Sequence, residues 1–381
     1  MKTLLQIWSA SWRIAVGGLL LVWAFHSIFV NEARELAARG ELIDHGTNVV
    51  WSKQQPKDLQ PPRLEQWRYG WKYGPPALWQ TLRSVSPVAL AVSFALMGGT
   101  LLVGMARWRM VLRVQGLELP FNRVAEISLV AHFFNSFLFG TAGGDVMKAY
   151  CAARETHHKK TEAVVTVFVD RVLGLWAMLV FATVMILPNY GLFLKSGLRT
   201  PAAFVVAMTA TASGFVFLAF RGGVSKKWSG ARAWLRRLPK GEWLERSLDS
   251  CRKFGQERGF VRRAFALSTL VNLLCVLQFY VLARGLPRAD VPFLALCLVV
   301  PMIICISALP LAPGGVGVRE NLFMQLLAAQ TIGVAATPAL SLSLLAFAGS
   351  LAWGLIGGVV YLMFKHKHHL KEANATTDGH G

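Results

Sequence analysis

Between Phe133 and Tyr150 the chain reads FFNSFLFGTAGGDVMKAY, an apolar run that breaks at Gly140-Thr-Ala-Gly143-Gly144 and then presents Asp145 and Lys148 within one helical turn. Non-helical backbone exposed to hydrocarbon leaves N–H and C=O groups unsatisfied at several kcal/mol each, so such a break survives only inside protein or beside a watery cavity. That restricts the possible folds sharply. A second stretch, LPLAPGGVGVREN from Leu309 to Asn321, has the same layout: a Gly-Gly pair with a basic residue four positions after its second glycine, Gly144 to Lys148 and Gly315 to Arg319. Two such elements, 171 residues apart, point to an internal repeat of the kind membrane transporters carry, and read as two lips of one site.

Composition supplies the membrane. Of 381 residues, 54% are hydrophobic and only 16% charged, and mean hydropathy is +0.45, too apolar for a soluble fold of this length. The expected class is all-α, a polytopic integral membrane protein of about eight transmembrane helices plus a re-entrant element. Net charge is +20, from 40 Lys and Arg against 20 Asp and Glu, and the excess lies in loops between apolar runs. That pattern marks loops held on the cytoplasmic face, so no nucleic acid is expected as a partner. The five cysteines form no CxxC pair and read as small core residues, not as a disulfide or metal framework.

Residues 1–30 hold an expected first transmembrane helix, with Lys2 and Arg13 ahead of an apolar run, Ile14–Val30, that is longer than the apolar core of a signal peptide. Residues 31–85 read as an extracytoplasmic loop. Its Trp-dense end, WRYGWKYGPPALW, suits an amphipathic piece on the bilayer better than an aromatic cage around a ligand. Residues 86–364 form the main transmembrane domain. Within it Pro87–Met105, Ala163–Leu187, Ala202–Phe220, Ala264–Ala283, Val291–Leu311, Asn321–Thr337 and Pro338–Phe364 are expected to cross. Val124–Gly140, with basic residues on both flanks, is expected to enter and leave by one face, a full crossing being its rival. Residues 221–263 carry 13 Lys and Arg against 4 acids, with tryptophans among them, and suit the anionic headgroups of the cytoplasmic leaflet. The tail, 365–381, is basic as well, so both termini are expected on the cytoplasmic side of the cell inner membrane.

Charges at membrane depth are expensive and therefore informative. Those present are Asp145 and Lys148 beside the first break, Asp170 and Arg171 inside the span from Ala163, and Arg319 and Glu320 beside the second break. Around Gly143-Gly144 and Gly314-Gly315 a ligand could approach the backbone closely. The N–H groups at the start of the next helix favour an anion, and Lys148 or Arg319 adds a formal charge one turn later. In a closed state Asp170 would pair with Arg319, or Glu320 with Arg171, as a lock or gate. No GxxxxGK loop occurs, Gly315-x-Gly317 lacks the third glycine of a dinucleotide site, and His132 has no partner at metal spacing and reads as a satisfied buried histidine. No cofactor, metal ligand or catalytic residue is expected.

FFNSFLFGTAGGDVMKAYCAARETHHKKTEAVVTVFVDRVLGL and LPLAPGGVGVRENLF resemble the transmembrane domain of the lysylphosphatidylglycerol synthase family, also seen as stand-alone flippase-like membrane proteins. The resemblance rests on Asn135, Gly143-Gly144-Asp145, Lys148, Arg154, the Asp170-Arg171 pair with Gly174, and Pro313-Gly314-Gly315-x-Gly317-x-Arg319-Glu320, and runs from around Pro87 to Phe364. It implies a flippase that moves an anionic, phosphate-bearing lipid or a polyprenyl-phosphate-linked intermediate between leaflets, with those residues on its headgroup. Full synthases also carry a soluble domain that passes an aminoacyl group from tRNA to phosphatidylglycerol. Only a short tail follows Phe364, so that enzyme activity is not expected here. Two other readings stay open: an accessory protein that recruits a lipid- or glycan-synthesis enzyme through 221–263, and a membrane-embedded transferase on a lipid phosphate with Asp145 or Glu320 as base.

Overall fold

The computed structural model describes residues 22–51, 60–137, 143–155, 159–189, 191, 199–221, 253–308, 318–327 and 332–377, apart from scattered positions in the first range and residues 258, 288 and 333. Helical residues between 22 and 37 lead into a minimal hairpin, β1 (Ile43–Asp44) paired antiparallel with β2 (Thr47–Asn48). The helices that follow are α1 (Arg63–Arg83), α2 (Pro87–Val114), α3 (Phe121–Phe137), α4 (Gly143–Arg154), α5 (Lys160–Val184), α6 (Arg199–Arg221), α7 (Phe260–Gly285), α8 (Phe293–Ser307), α9 (Val318–Leu327) and α10 (Ala336–Thr377). Of these, α2, α5, α6, α7 and α10 are long and apolar enough to cross a membrane. The protein is an all-α polytopic membrane protein.

Local signals set the ends that matter. Pro87 opens α2, where a missing N–H costs nothing, and Gly116 at φ +70° closes it. There the Leu117 N–H reaches back to the Leu112 carbonyl at 3.1 Å, the closure that a left-handed glycine permits.

α3 and α4 have 17 and 12 residues, about 26 and 18 Å at 1.5 Å per residue, each short of a hydrocarbon core of about 30 Å. They pack against each other. Arg123 near the start of α3 bonds through Nε to Glu155, just past the end of α4, at 2.8 Å, and through Nη1 to Glu126 at 2.7 Å. The two ends of this α3–α4 pair therefore lie together, as a re-entrant element at Val124–Gly140 requires. Its base is set in an apolar cluster of Trp108 and Leu112 from α2, Val124 and Ile127 from α3, Cys151 from α4, Ala163 from α5 and Phe260 from α7.

Within the crossings expected at Val291–Leu311 and Asn321–Thr337 the described helices are short. α8 and α9 have 15 and 10 residues, about 22 and 15 Å, and pack on each other. The N–H of Val334 bonds the Leu327 carbonyl at 3.1 Å. α8 looks like a span because it is apolar on every side. Protein, not lipid, covers most of it: Ala295 to Ile303 and Cys305 are all buried.

A repeat is visible in the element order: long, short, glycine-rich break, short, long. The members α2 to α5 start at 87, 121, 143 and 160, and α7 to α10 start at 260, 293, 318 and 336, each 172 to 176 residues later. The chain divides into two compact units, one of Met1–Phe94, Pro188–Thr200 and Val276–Phe347, the other of Ala95–Leu187, Pro201–Cys275 and Ala348–Gly381.

In the first unit, the Ser86 N–H bonds the Gly285 carbonyl at 3.1 Å, joining the start of α2 to the end of α7; a Cβ on Gly285 would stand 2.3 Å from that of Ala89. Phe279 of α7 stacks on Phe323 of α9 with ring centroids 5.1 Å apart. In the second unit α5 and α6 are tied by Thr183 to Thr209 at 2.8 Å and Trp176 to Ser213 at 3.0 Å. α3 and α10 meet where a Cβ on Gly357 would lie 2.1 Å from the Leu129 carbonyl oxygen, and His132 Nε2 is 3.1 Å from the Ser350 carbonyl, the satisfied histidine expected. Cys151, Cys275, Cys297 and Cys305 are unpaired, and all but Cys275 are buried.

Candidate lipid-binding site

The first glycine pair is where α4 begins. Asn135, still in α3, accepts the Gly144 N–H on its Oδ1 at 2.9 Å, so a side chain across the break satisfies one of the orphan donors of the new helix. A Cβ on Gly144 would stand 2.1 Å from the Ala131 carbonyl oxygen and 2.4 Å from Asn135 Cγ. This glycine thus serves close approach of α4 to α3, and its N–H is spent on Asn135 instead of being held for an anion.

One turn on, the charges converge. Asp170 of α5 is held from two sides: Arg107 Nε of α2 lies 2.8 Å from Oδ1, and Lys148 Nζ of α4 lies 3.3 Å from Oδ2. All three side chains are largely buried. Arg107 also donates to Ser268 of α7 at 2.8 Å, and Ser268 donates onward to the Ala264 carbonyl. The Lys148 ammonium sits 4.2 Å from the centroid of the Trp108 ring, a cation–π contact worth most where water is excluded. Gly174, one turn after Asp170, leaves room for the guanidinium, since a Cβ there would be 2.9 Å from Arg107 Nη1. Beside this buried triad lies a more open pair: Arg171 Nη1 is 3.3 Å from Asp145 Oδ2, with the side chains 45% and 32% exposed.

Asp170 and Arg171 thus find partners on neighbouring helices of their own unit. Arg154 is six residues beyond Lys148, about 9 Å along the helix, and donates to the Tyr150 hydroxyl at 3.2 Å. It stands at the hairpin base, away from the triad.

Arg319 and Glu320 belong to the other unit and form a comparable group there. Glu320 is 2% exposed; Arg319 Nε reaches its Oε1 at 3.1 Å and Ser343 Oγ of α10 at 3.2 Å, and the guanidinium lies 4.7 Å from the Phe347 ring centroid. Each glycine break is thus followed by a base set against an aromatic ring and beside a buried acid. Gly314 and Gly315, with Pro313 and Gly317, lie outside the described residues.

Sequence reasoning missed Arg107, Trp108 and Ser268. Arg107 opens a run with Arg109 and Arg113, which reads as a topology signal. Next to the hairpin, α3 and α10 enclose an apolar groove of about 360 Å³ lined by Phe133, Leu355, Gly358, Val359, Tyr361 and Leu362. Phe133 is two residues before Asn135 on α3 and faces α10, where Asn135 faces α4.

Residues 67–358 match the family described as the lysylphosphatidylglycerol synthase TM region. The chain belongs to that family. The family region begins at Trp67, inside α1, and not at Pro87, so the second half of the Trp-rich stretch is part of it. A UPF0104 membrane protein of Methanothermobacter thermautotrophicus is 27% identical over 281 residues, covering 67% of this chain and 77% of its own. All the candidate residues of both lysylphosphatidylglycerol synthase-like breaks fall inside the family region.

Proposed function

We propose that this protein is a lipid flippase of the cell inner membrane, with both termini cytoplasmic. It moves an amphiphile with an anionic, phosphate-bearing headgroup between leaflets and returns it chemically unchanged, without a cofactor. The observation that carries this reading is the charge at the first break: three bases, Arg107, Lys148 and Arg171, against two acids, Asp145 and Asp170, in a unit that also holds an apolar groove on α3 and α10. An excess of one positive charge in such a place is matched by one anion. Membership of a family defined by a synthase's transmembrane region supports the lipid setting.

In this reading the Arg107–Asp170–Lys148 triad keeps the frame, and the half-exposed Arg171 does the exchanging. A phosphate takes the place of Asp145 on the Arg171 guanidinium, whose planar fork suits it. The hydrocarbon chain of the same molecule follows the groove on α3 and α10. The test uses proteoliposomes with a fluorescent phosphatidylglycerol probe in one leaflet. Arg171→Gln is expected to slow its transfer about tenfold or more, the worth of one charged hydrogen bond. Transfer at the wild-type rate by a folded Arg171→Gln protein would overturn the site, and recovery of the probe with an altered mass would replace the flippase by a transferase.

A further inference from the structure

The described residues of the 31–85 segment form a small folded lobe, and one of its faces is exposed. Ala33, Ala37, Leu42, Trp51 and Tyr69 make its core, and Asp44, 7% exposed, fastens the hairpin to α1 through Lys72 Nζ at 2.9 Å and Arg68 Nη2 at 3.7 Å. The Tyr73 hydroxyl adds a bond to the Ile43 carbonyl at 2.6 Å. The underside of α1 lies on the preceding helical segment, where glycines are required: a Cβ on Gly70 would stand 2.9 Å from Val30 Cγ2, and one on Gly74 2.4 Å from the Phe29 ring. Along the edge of that contact Leu64, Trp67 and Trp71, at i, i+3 and i+7, line one stripe and are 84%, 55% and 46% exposed. Trp79 is exposed further along.

We propose that this face of α1 is an anchor for the membrane surface, seating Leu64, Trp67, Trp71 and Trp79 among the lipid headgroups of the leaflet at which α2 begins. The tether decides the occupant. Only Ser84, Val85 and Ser86 separate the end of α1 from Pro87 at the start of a membrane span, a reach of about 10 Å at most. Charge agrees with lipid phosphates: Arg63, Arg68, Lys72 and Arg83 lie on the helix of the stripe, an excess of two positive charges over Glu65 and the Asp44 that Arg68 and Lys72 share. The indoles do not enclose a shared cage. Trp67 leans on His26 with centroids 4.0 Å apart, Trp71 meets Phe29 edge-on at 5.2 Å, and Trp79 carries the Arg83 guanidinium at 4.9 Å. Each presents its other side outward, as aromatic residues do at an interface. The anchor would fix the height of the lobe over the α2 entrance and gather anionic lipid there.

The test places the photoreactive residue benzoylphenylalanine at Trp67, Trp71 or Gln80 of the full chain in vesicles of phosphatidylethanolamine and phosphatidylglycerol. Gln80 is exposed, and nine residues from Trp71 it points to the opposite side of the helix. Light is expected to attach lipid at 67 and 71 and none at 80, with phosphatidylglycerol enriched over its share of the vesicle. Lipid attached equally at all three positions, at none of them, or in the vesicle's own proportions would overturn the proposal. So would attachment to a second protein chain at 67 and 71. These outcomes are read without transport, so they stand apart from the flippase reading.

Discussion

Asp170→Asn is expected to destabilise the protein by about 3–5 kcal/mol, the cost of leaving buried charges without their partner. Two bases depend on this carboxylate, Arg107 at 2.8 Å and Lys148 at 3.3 Å, and among the described residues neither has another acid at comparable distance. The amide keeps the shape and can still accept a hydrogen bond, so the loss isolates the charge. Thermal unfolding in mild detergent gives the measurement. Lys148→Met should cost less than Asp170→Asn, because Arg107 still neutralises the acid and the Met chain keeps contact with Trp108. In the Asp170→Asn/Lys148→Met double variant a single uncompensated guanidinium remains, and the cost should fall below that of Asp170→Asn alone. An Asp170→Asn protein within about 0.5 kcal/mol of wild type, the range of an ordinary surface change, would mean that the triad is not buried as drawn.

Much of this site could be read from residue order alone, for physical reasons that also mark where reading stops. A Gly-Gly break followed by a base announces irregular backbone at membrane depth, and Lys148, Asp170 and Arg171 stand out because charge in apolar sequence is rare. Element lengths were harder. Hydropathy registers only that residues avoid water, so it does not tell α8, buried largely by protein, from a lipid-facing helix. The bond from Val334 to Leu327 leaves no trace in an apolar average. Partners were hardest of all. Asp170 lies 63 positions from Arg107 and 22 from Lys148, and a single sequence carries nothing that favours those over Arg319. Gly174 did signal something, but a glycine one turn after an acid names neither the arginine that fills the space nor the helix that brings it.

Gly144→Ala separates two meanings of the glycine pair. If the glycine served mainly to let a headgroup near the backbone, a methyl there would weaken binding and spare the fold. The geometry says otherwise: the methyl would meet the Ala131 carbonyl oxygen at 2.1 Å, a backbone atom of α3 that has no rotamer by which to withdraw. α4 must then move off α3, lose the Asn135 bond to the Gly144 N–H, and carry Asp145 and Lys148 with it. The expected cost is about 1–3 kcal/mol for overpacking, with about 1 kcal/mol more for the lost bond, and lipid transfer should fall even at temperatures where the protein stays folded. Gly104→Ala is the control. It sits in α2 with no atom within 4 Å of its added methyl, and helix propensity favours alanine by up to about 1 kcal/mol. Asn135→Ala should reproduce the smaller part of the Gly144→Ala defect, since it removes the bond and leaves the contact. A Gly144→Ala protein as stable as wild type but slow in transfer would return the glycine to the ligand and take it from the hairpin.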